Sequence, residues 1–241
     1  MGRPYYSKIA KAWHAVTGPE GGALKKHVLN RLVMTRLGPL DGLAVLELGA
    51  GNGYFMKWLL DQSGSGSPSR LVITEASGAL LALARESFPL PTAEYHQLDV
   101  RRPFPFTNDS FDRILAVMVF NELRDRDYEQ ALRECARVLK PGGMLVAVVT
   151  HPDFIDCLQR QGKLTELSPG FFTMPGKDAL RVPVIPRTMD AYRAALVQAG
   201  FRVEQEPVYP TEDVLRERPG LRHADGLPLA AVFTGIRLPA N

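Results

Sequence analysis

The sequence predicts an α/β fold: a mostly parallel sheet with helices on both faces. Three observations carry this expectation. Five apolar runs, LAVLEL (43–48), RLVITE (70–75), AEYHQL (93–98), FDRILAVMV (111–119) and MLVAVVT (144–150), have the near-continuous hydrophobicity of strands covered on both sides. Helix-like segments separate them, and a strand–helix–strand repeat favours crossover connections and a layered parallel sheet. Three glycines at alternate positions, Gly49, Gly51 and Gly53, directly follow the first apolar run and precede a helix-like segment.

Each element has a local justification. Glu20 to Leu37 reads as a helix with Leu24, Val28, Leu32 and Thr35 on one side. The aromatic-rich segment before it, with Tyr5, Tyr6 and Trp13, either lies over a ligand or packs on the core. Asn52 to Leu60 and Ser77 to Ser87 read as helices between strands, and the glycine- and serine-rich stretch 61–69 between them as a flexible insertion. Tyr128, Leu132, Cys135, Ala136 and Leu139 form an apolar stripe at helical spacing, which Pro141-Gly142-Gly143 ends. Five prolines lie between 152 and 187, so only a short helix around Phe154 to Gln161 is legible there; a connection this long reads as a lid or binding loop. Met189, Tyr192, Leu196 and Ala199 mark a last helix, followed by strands FRVEQEPVY and LAAVFTGIRL, an antiparallel addition to the sheet.

Composition narrows the class. The 241 residues fit a single domain, 1–241, with cap elements 1–37 and 152–187. Hydrophobic residues make up 45% and charged residues 23%, as in a globular chain. The net charge of +3 is spread along the sequence without a basic arm, so no nucleic-acid partner is expected. The N-terminus lacks an apolar signal core and no run is long enough for a membrane span, so a cytoplasmic protein without a membrane partner is expected. Cys135 and Cys157 have no CxxC spacing, hence neither a disulfide framework nor a zinc site is signalled. Oligomeric state leaves no trace in the sequence.

The glycines point to a ligand. A strand end, a glycine turn and a helix start bring backbone N–H groups to the carboxyl edge of a parallel sheet. A dinucleotide site would read GxGxxG, but Tyr54 stands where the third spaced glycine should be, and Glu47 sets negative charge where a pyrophosphate would lie. A ligand carrying an ammonium or sulfonium group suits Glu47 better. Glu75 closes the second strand, where a carboxylate accepts from ribose hydroxyls, and Asp99 follows the third, where it can accept from an adenine amino group.

In ELGAGNG (47–53), TEAS (74–77), QLDV (97–100), FTNDSFDRILAVMVFNEL (106–123) and VLKPGGMLV (138–146), the chain resembles the class I S-adenosylmethionine-dependent methyltransferases of small-molecule type. The resemblance implies a Rossmann-like three-layer sandwich whose seven-stranded, mostly parallel sheet has an antiparallel last strand. It assigns Glu47, Gly49, Ala50, Gly51 and Gly53 to the methionine part of the cofactor, Glu75 to the ribose, and Asp99, Ala76 and Val100 to the adenine. Met118 and Asn121 match positions at the methionine end that face the acceptor, with asparagine where many relatives have histidine.

A sulfonium methyl group is already electrophilic, so catalysis asks mainly for alignment and exclusion of water, with a base for an acceptor that must lose a proton. His151, after the fifth strand, is the expected base or acceptor-orienting group, with Asn121 as a second orienting residue and His14 as a second candidate. Tyr6, Trp13, His14, Asn121, His151, Phe154, Phe171 and Phe172 are the expected acceptor-binding residues. No metal is expected, because Ala116-Val117-Met118 lacks the aspartate of the metal-dependent relatives. A small organic acceptor methylated at oxygen or nitrogen is the leading expectation. An RNA methyltransferase, suggested by Lys25, Lys26, Arg31, Arg36 and Arg101-Arg102, and a catalytically silent cofactor-binding scaffold are the alternatives.

Overall fold

In the computed structural model, which describes residues 2–62, 64, 66–176 and 180–239, seven strands form one sheet in the order β3-β2-β1-β4-β5-β10-β9. Part of the glycine- and serine-rich stretch 61–69 and part of the expected cap therefore fall outside the described residues. The strands are β1 (Ala44–Leu48), β2 (Arg70–Glu75), β3 (Ala93–Gln97), β4 (Phe111–Val117), β5 (Leu139–Thr150), β9 (Phe201–Val208) and β10 (Ala230–Arg237). β1 pairs in parallel with both β2 and β4, so the strand order reverses at β1, and a crevice opens at the carboxyl ends of these strands. β10 runs antiparallel to both β5 and β9.

Alternation along β1 divides the core. Ala44, Leu46 and Leu48 face a layer containing α5 (Asp125–Val138) and α7 (Met189–Gln198), where Tyr128, Leu132, Tyr192 and Leu196 are buried. Val45 faces the other layer, with Leu29, Val33 and Leu37 along α2 (Asn30–Leu37) and its approach, and Phe55, Met56 and Leu59 of α3 (Tyr54–Leu60). Odd-numbered Glu47 shares the face of Val45, on the side of α2 and α3. The run AEYHQL differs from its reading as a doubly covered strand: β3 is the sheet edge, and its residues are half-buried or exposed.

The two cap segments carry more structure than their sequences suggest. The aromatic N-terminal segment is a helix, α1 (Gly2–Thr17), packed on α4 (Gly78–Ser87). The helix expected over Glu20 to Leu37 is replaced at Lys25–Leu29 by a π-helical turn before α2 begins. π-helical turns are rare and frequently occur at functional sites. Beyond β5, α6 (Pro152–Arg160) leads into a separate three-stranded antiparallel sheet, β6 (Thr165–Ser168), β7 (Phe171–Pro175) and β8 (Arg181–Val184). The remaining α8 (Glu212–Glu217) lies between β9 and β10.

Candidate cofactor and acceptor site

The glycine bend is fixed from β2. Ala50 N donates to Thr74 O at 2.9 Å, Thr74 Oγ1 donates to Glu47 O at 2.8 Å, and Gly51 N donates to Glu75 Oε2 at 3.0 Å. Glu75 Oε1 also accepts from Ser77 N at 2.8 Å, so one carboxylate holds the bend and the start of α4 together. The three glycines have different reasons to lack a side chain. A Cβ at Gly49 would meet Val119 Cγ2 at 2.5 Å, and one at Gly53 would meet Ala84 Cβ of α4 at 2.6 Å. At Gly51 a Cβ would meet only Trp13 Nε1, at 3.5 Å, and would project into open space. Gly49 and Gly53 permit packing; Gly51 keeps a ligand path clear.

That space is a cavity of about 530 Å³ running from the bend to the cap. Glu47, Gly49, Ala50, Gly51, Glu75 and Ala76 line its floor, with Asp99, Val100 and Met118 beside them. Tyr6, Trp13, Asn121, Phe154 and Phe171 line it from above. Four residues expected at the site are absent from the lining: Gly53, His14, Phe172 and His151. Gly53 packs against α4, as above. His14 points to Asn52, with Nδ1 3.3 Å from its amide nitrogen. His151 is buried as the cap of α6, its Nδ1 accepting from Asp153 N at 3.2 Å. That bond needs an unprotonated Nδ1, and burial holds the His151 pKa below its usual value against the opposing pull of Asp153. His151 was expected to face the acceptor; its ring is instead absent from the cavity lining and uses Nδ1 at the start of α6.

The polar groups around the cavity are strained electrostatically. Burial pushes the Glu47 carboxyl up to about 8, with Lys25 pulling it back and Glu75 adding to the rise. Burial likewise pushes Lys25 down to about 8 and Glu122 up to about 8. Tyr6 donates to Glu122 Oε1 at 2.5 Å, and burial followed by this carboxylate holds its phenol well above the usual range. Asp99 is already engaged: Oδ1 accepts from Arg101 N and Nε, and Oδ2 from Arg101 Nη2, which leaves about one lone pair free for a ligand.

Three buried polar atoms lining this space have no partner among the described residues: Glu47 Oε2, Asn121 Nδ2 and Asn121 Oδ1. Buried polar groups are ordinarily satisfied, so this set makes the cavity a place for polar partners, whether water or a ligand. The backbone just before Asn121 is strained as well, since Met118 holds a left-handed φ of 58° where the chain leaves β4. Lys25 and Glu122 were not recognised as site residues from sequence. Lys25 stood among charges considered for RNA. Glu122 had one signal, a carboxylate in the apolar run that leaves the fourth strand at the carboxyl edge.

Comparison with known proteins supports the fold. Residues 45–143 match a family model described as a methyltransferase domain. The chain is 30% identical over 151 residues to malonyl-acyl-carrier protein O-methyltransferase 1 of Coxiella burnetii, covering 60% of this chain and 48% of that protein. It is 36% identical over 137 residues to demethylmenaquinone methyltransferase of Lactococcus lactis subsp. lactis, covering 54% and 52%. It therefore spans about half the length of these curated relatives. The crystal structure of an S-adenosylmethionine dependent methyltransferase from Mesorhizobium loti superposes with a TM-score of 0.67 at 22% identity, covering 91% of this chain and 100% of that one. The chain has the class I S-adenosylmethionine-dependent methyltransferase fold.

Proposed function

We propose that the protein transfers a methyl group from S-adenosylmethionine to an oxygen or nitrogen atom of a small organic molecule held under the cap. The observation that carries this reading is the single cavity that joins the glycine bend to an apolar roof, with Glu47 Oε2 and both amide atoms of Asn121 unpartnered along it. The residues present fit the cofactor. Glu47 offers a buried free oxygen to an ammonium group, Gly51 leaves the path beside it open, and Glu75 presents its carboxylate at the end of β2 to ribose hydroxyls. Ala76 and Val100 flank the place for an adenine ring beside Asp99. The cofactor, when bound, supplies a methyl group on a sulfonium, which needs a nucleophile in line and little else.

The chain's own residues do the rest. Trp13 of α1 with Phe154 and Phe171 of the cap exclude water over the cavity, and Asn121 orients the acceptor's polar atom. A small molecule is preferred to RNA because three of the six basic residues considered for RNA are paired and a fourth, Lys25, lines the cavity. Lys26 lies 3.6 Å from Glu20 and 3.8 Å from Glu217, Arg36 bonds Glu206, and Arg101 bonds Asp99. Pairing of this kind leaves little free charge to displace counterions from a phosphate backbone. The test is calorimetric titration with S-adenosylmethionine, then a screen of phenols, amines and carboxylates for labelled methyl. Binding followed by transfer to one class is the expected result; binding without any transfer would favour a silent scaffold.

A further inference from the structure

We propose that Glu122, held in place by Tyr6, is the base that removes the proton from an aromatic hydroxyl as it is methylated, so that the acceptor is a phenol on an apolar body. This rests on the methyltransferase reading above and goes beyond it by naming the base and the acceptor class.

The placement comes first. The chain leaves β4 at Val117, turns through the left-handed Met118, and enters a short 3-10 turn, Phe120–Glu122. The turn sets Asn121 and Glu122 side by side at the carboxyl edge, and both line the cavity. Tyr6 reaches the same carboxylate from α1, which fixes its direction.

The hydrogen-bond inventory then selects the acceptor. Asn121 is 1% exposed and its unused donor, Nδ2, lies on the cavity beside the Glu122 carboxylate, so the pair asks for one group that accepts from the amide and donates its proton to the carboxylate. A hydroxyl both donates and accepts, whereas a carboxylate only accepts and an ammonium only donates. Among hydroxyls, a carboxyl whose pKa burial has raised to about 8 can deprotonate a phenol, which titrates near about 10, but not an alkanol. The cap supplies the matching apolar walls through Phe154, Phe171, Met174 and Val182.

The step balances. The phenol O–H bond breaks with its proton passing to the Glu122 carboxylate. The O–CH₃ bond forms as the S–CH₃ bond of the methyl sulfonium breaks, and the electron pair stays on sulfur as a neutral thioether.

The test uses Glu122→Gln, with Glu122→Ala as a second variant should the first fail to fold. Calorimetry with S-adenosylmethionine comes first, and both variants are expected to bind within about threefold of the parent, because the base does not hold the cofactor. Labelled methyl transfer is then measured to phenol, 4-methylphenol and 4-nitrophenol at mildly alkaline pH, with benzylamine and benzoate alongside. The parent is expected to methylate the phenols. The variants are expected to lose about 100-fold on phenol and 4-methylphenol but less than about tenfold on 4-nitrophenol, which is largely ionised already and needs no base. An equal loss on all three, or no loss, would overturn the base. Transfer to benzylamine or benzoate but not to any phenol would overturn the acceptor class, as would tight cofactor binding with no probe methylated. Failure of the parent to bind S-adenosylmethionine would instead remove the underlying reading.

Discussion

The floor and the roof of the cavity are built by different means. The floor consists of strand ends whose groups are fixed by backbone: Gly51 N on Glu75, Ala50 N on Thr74 O, and Thr74 Oγ1 on Glu47 O. The roof consists of apolar side chains on α1, α6 and a small separate sheet, with Phe171 buried and Leu167 exposed. A ligand part that never changes suits groups set by backbone hydrogen bonds, because their positions are over-determined. A part that differs between enzymes suits side chains, where one substitution reshapes a wall without disturbing a strand.

The widest separation of the two halves should come from the glycine bend. Gly51→Val places a β-branched side chain at a φ of 61° and into the ligand path, and cofactor binding is expected to vanish in calorimetry. Gly53→Ala is the control: its Cβ meets Ala84, so the thermal midpoint should fall while the folded fraction still binds cofactor. Loss of binding in the folded fraction of both variants would erase the distinction drawn between these glycines.

Glu75→Ala tests whether the floor acts as one unit. It removes ligand contacts and also releases Gly51 N and Ser77 N, so cofactor affinity should fall by about 1 to 3 kcal/mol. Unchanged affinity would move the ribose elsewhere. The floor should also be sensitive to pH without cofactor. Glu47 and Glu122 are raised from 4.5 to about 8, so the stability they contribute is full below about 4.5 and is lost as pH climbs through about 8. Lys25 is lowered from 10.5 to about 8, so its contribution is full above 10.5 and is lost as pH falls through about 8. Denaturant titrations of the cofactor-free protein are therefore expected to find lower stability near pH 8 than near pH 5, and Glu47→Gln should lessen that difference.

The roof should respond more gently. Phe171→Ala is expected to raise the acceptor KM while cofactor affinity stays within about threefold, since the ring lines the cavity away from the bend. Smallest is His151→Ala, which removes the α6 cap and should cost about 1 kcal/mol of stability, with methyl transfer largely retained. A 100-fold loss of turnover with intact stability would restore His151 as a catalytic group.

This contrast also explains what could be read in the sequence. β1, β2, β4 and β5 are buried on both faces, so their apolar runs were unmistakable, and the carboxylates Glu47, Glu75 and Asp99 followed from their places at strand ends. β6, β7 and β8 are not legible because they are four or five residues long, β7 and β8 each carry a proline, and β6 is exposed throughout. α1 was hidden because its aromatic residues are used on a cavity rather than in a regular core stripe. Glu122 was hidden because its pairing with Tyr6 joins positions 116 residues apart. For His151 the sequence cannot separate a histidine at a strand's carboxyl end from one that caps the next helix, since the two look identical in one dimension.

The position of β10 has a consequence for how the molecule is made. Last of the strands in chain order, it lies between β5 and β9, both of which precede it. During synthesis the ribosome releases β1, β2 and β4 with the whole glycine bend long before residues 230–237 emerge. Until then the β5 edge is an open template for the wrong partner, and β9 has no neighbour to pair with. The final insertion closes contacts distant in sequence from α2 and α3, a late and slow kind of event. A nascent chain thus has the strands of its cavity floor early and an unfinished sheet edge beside them.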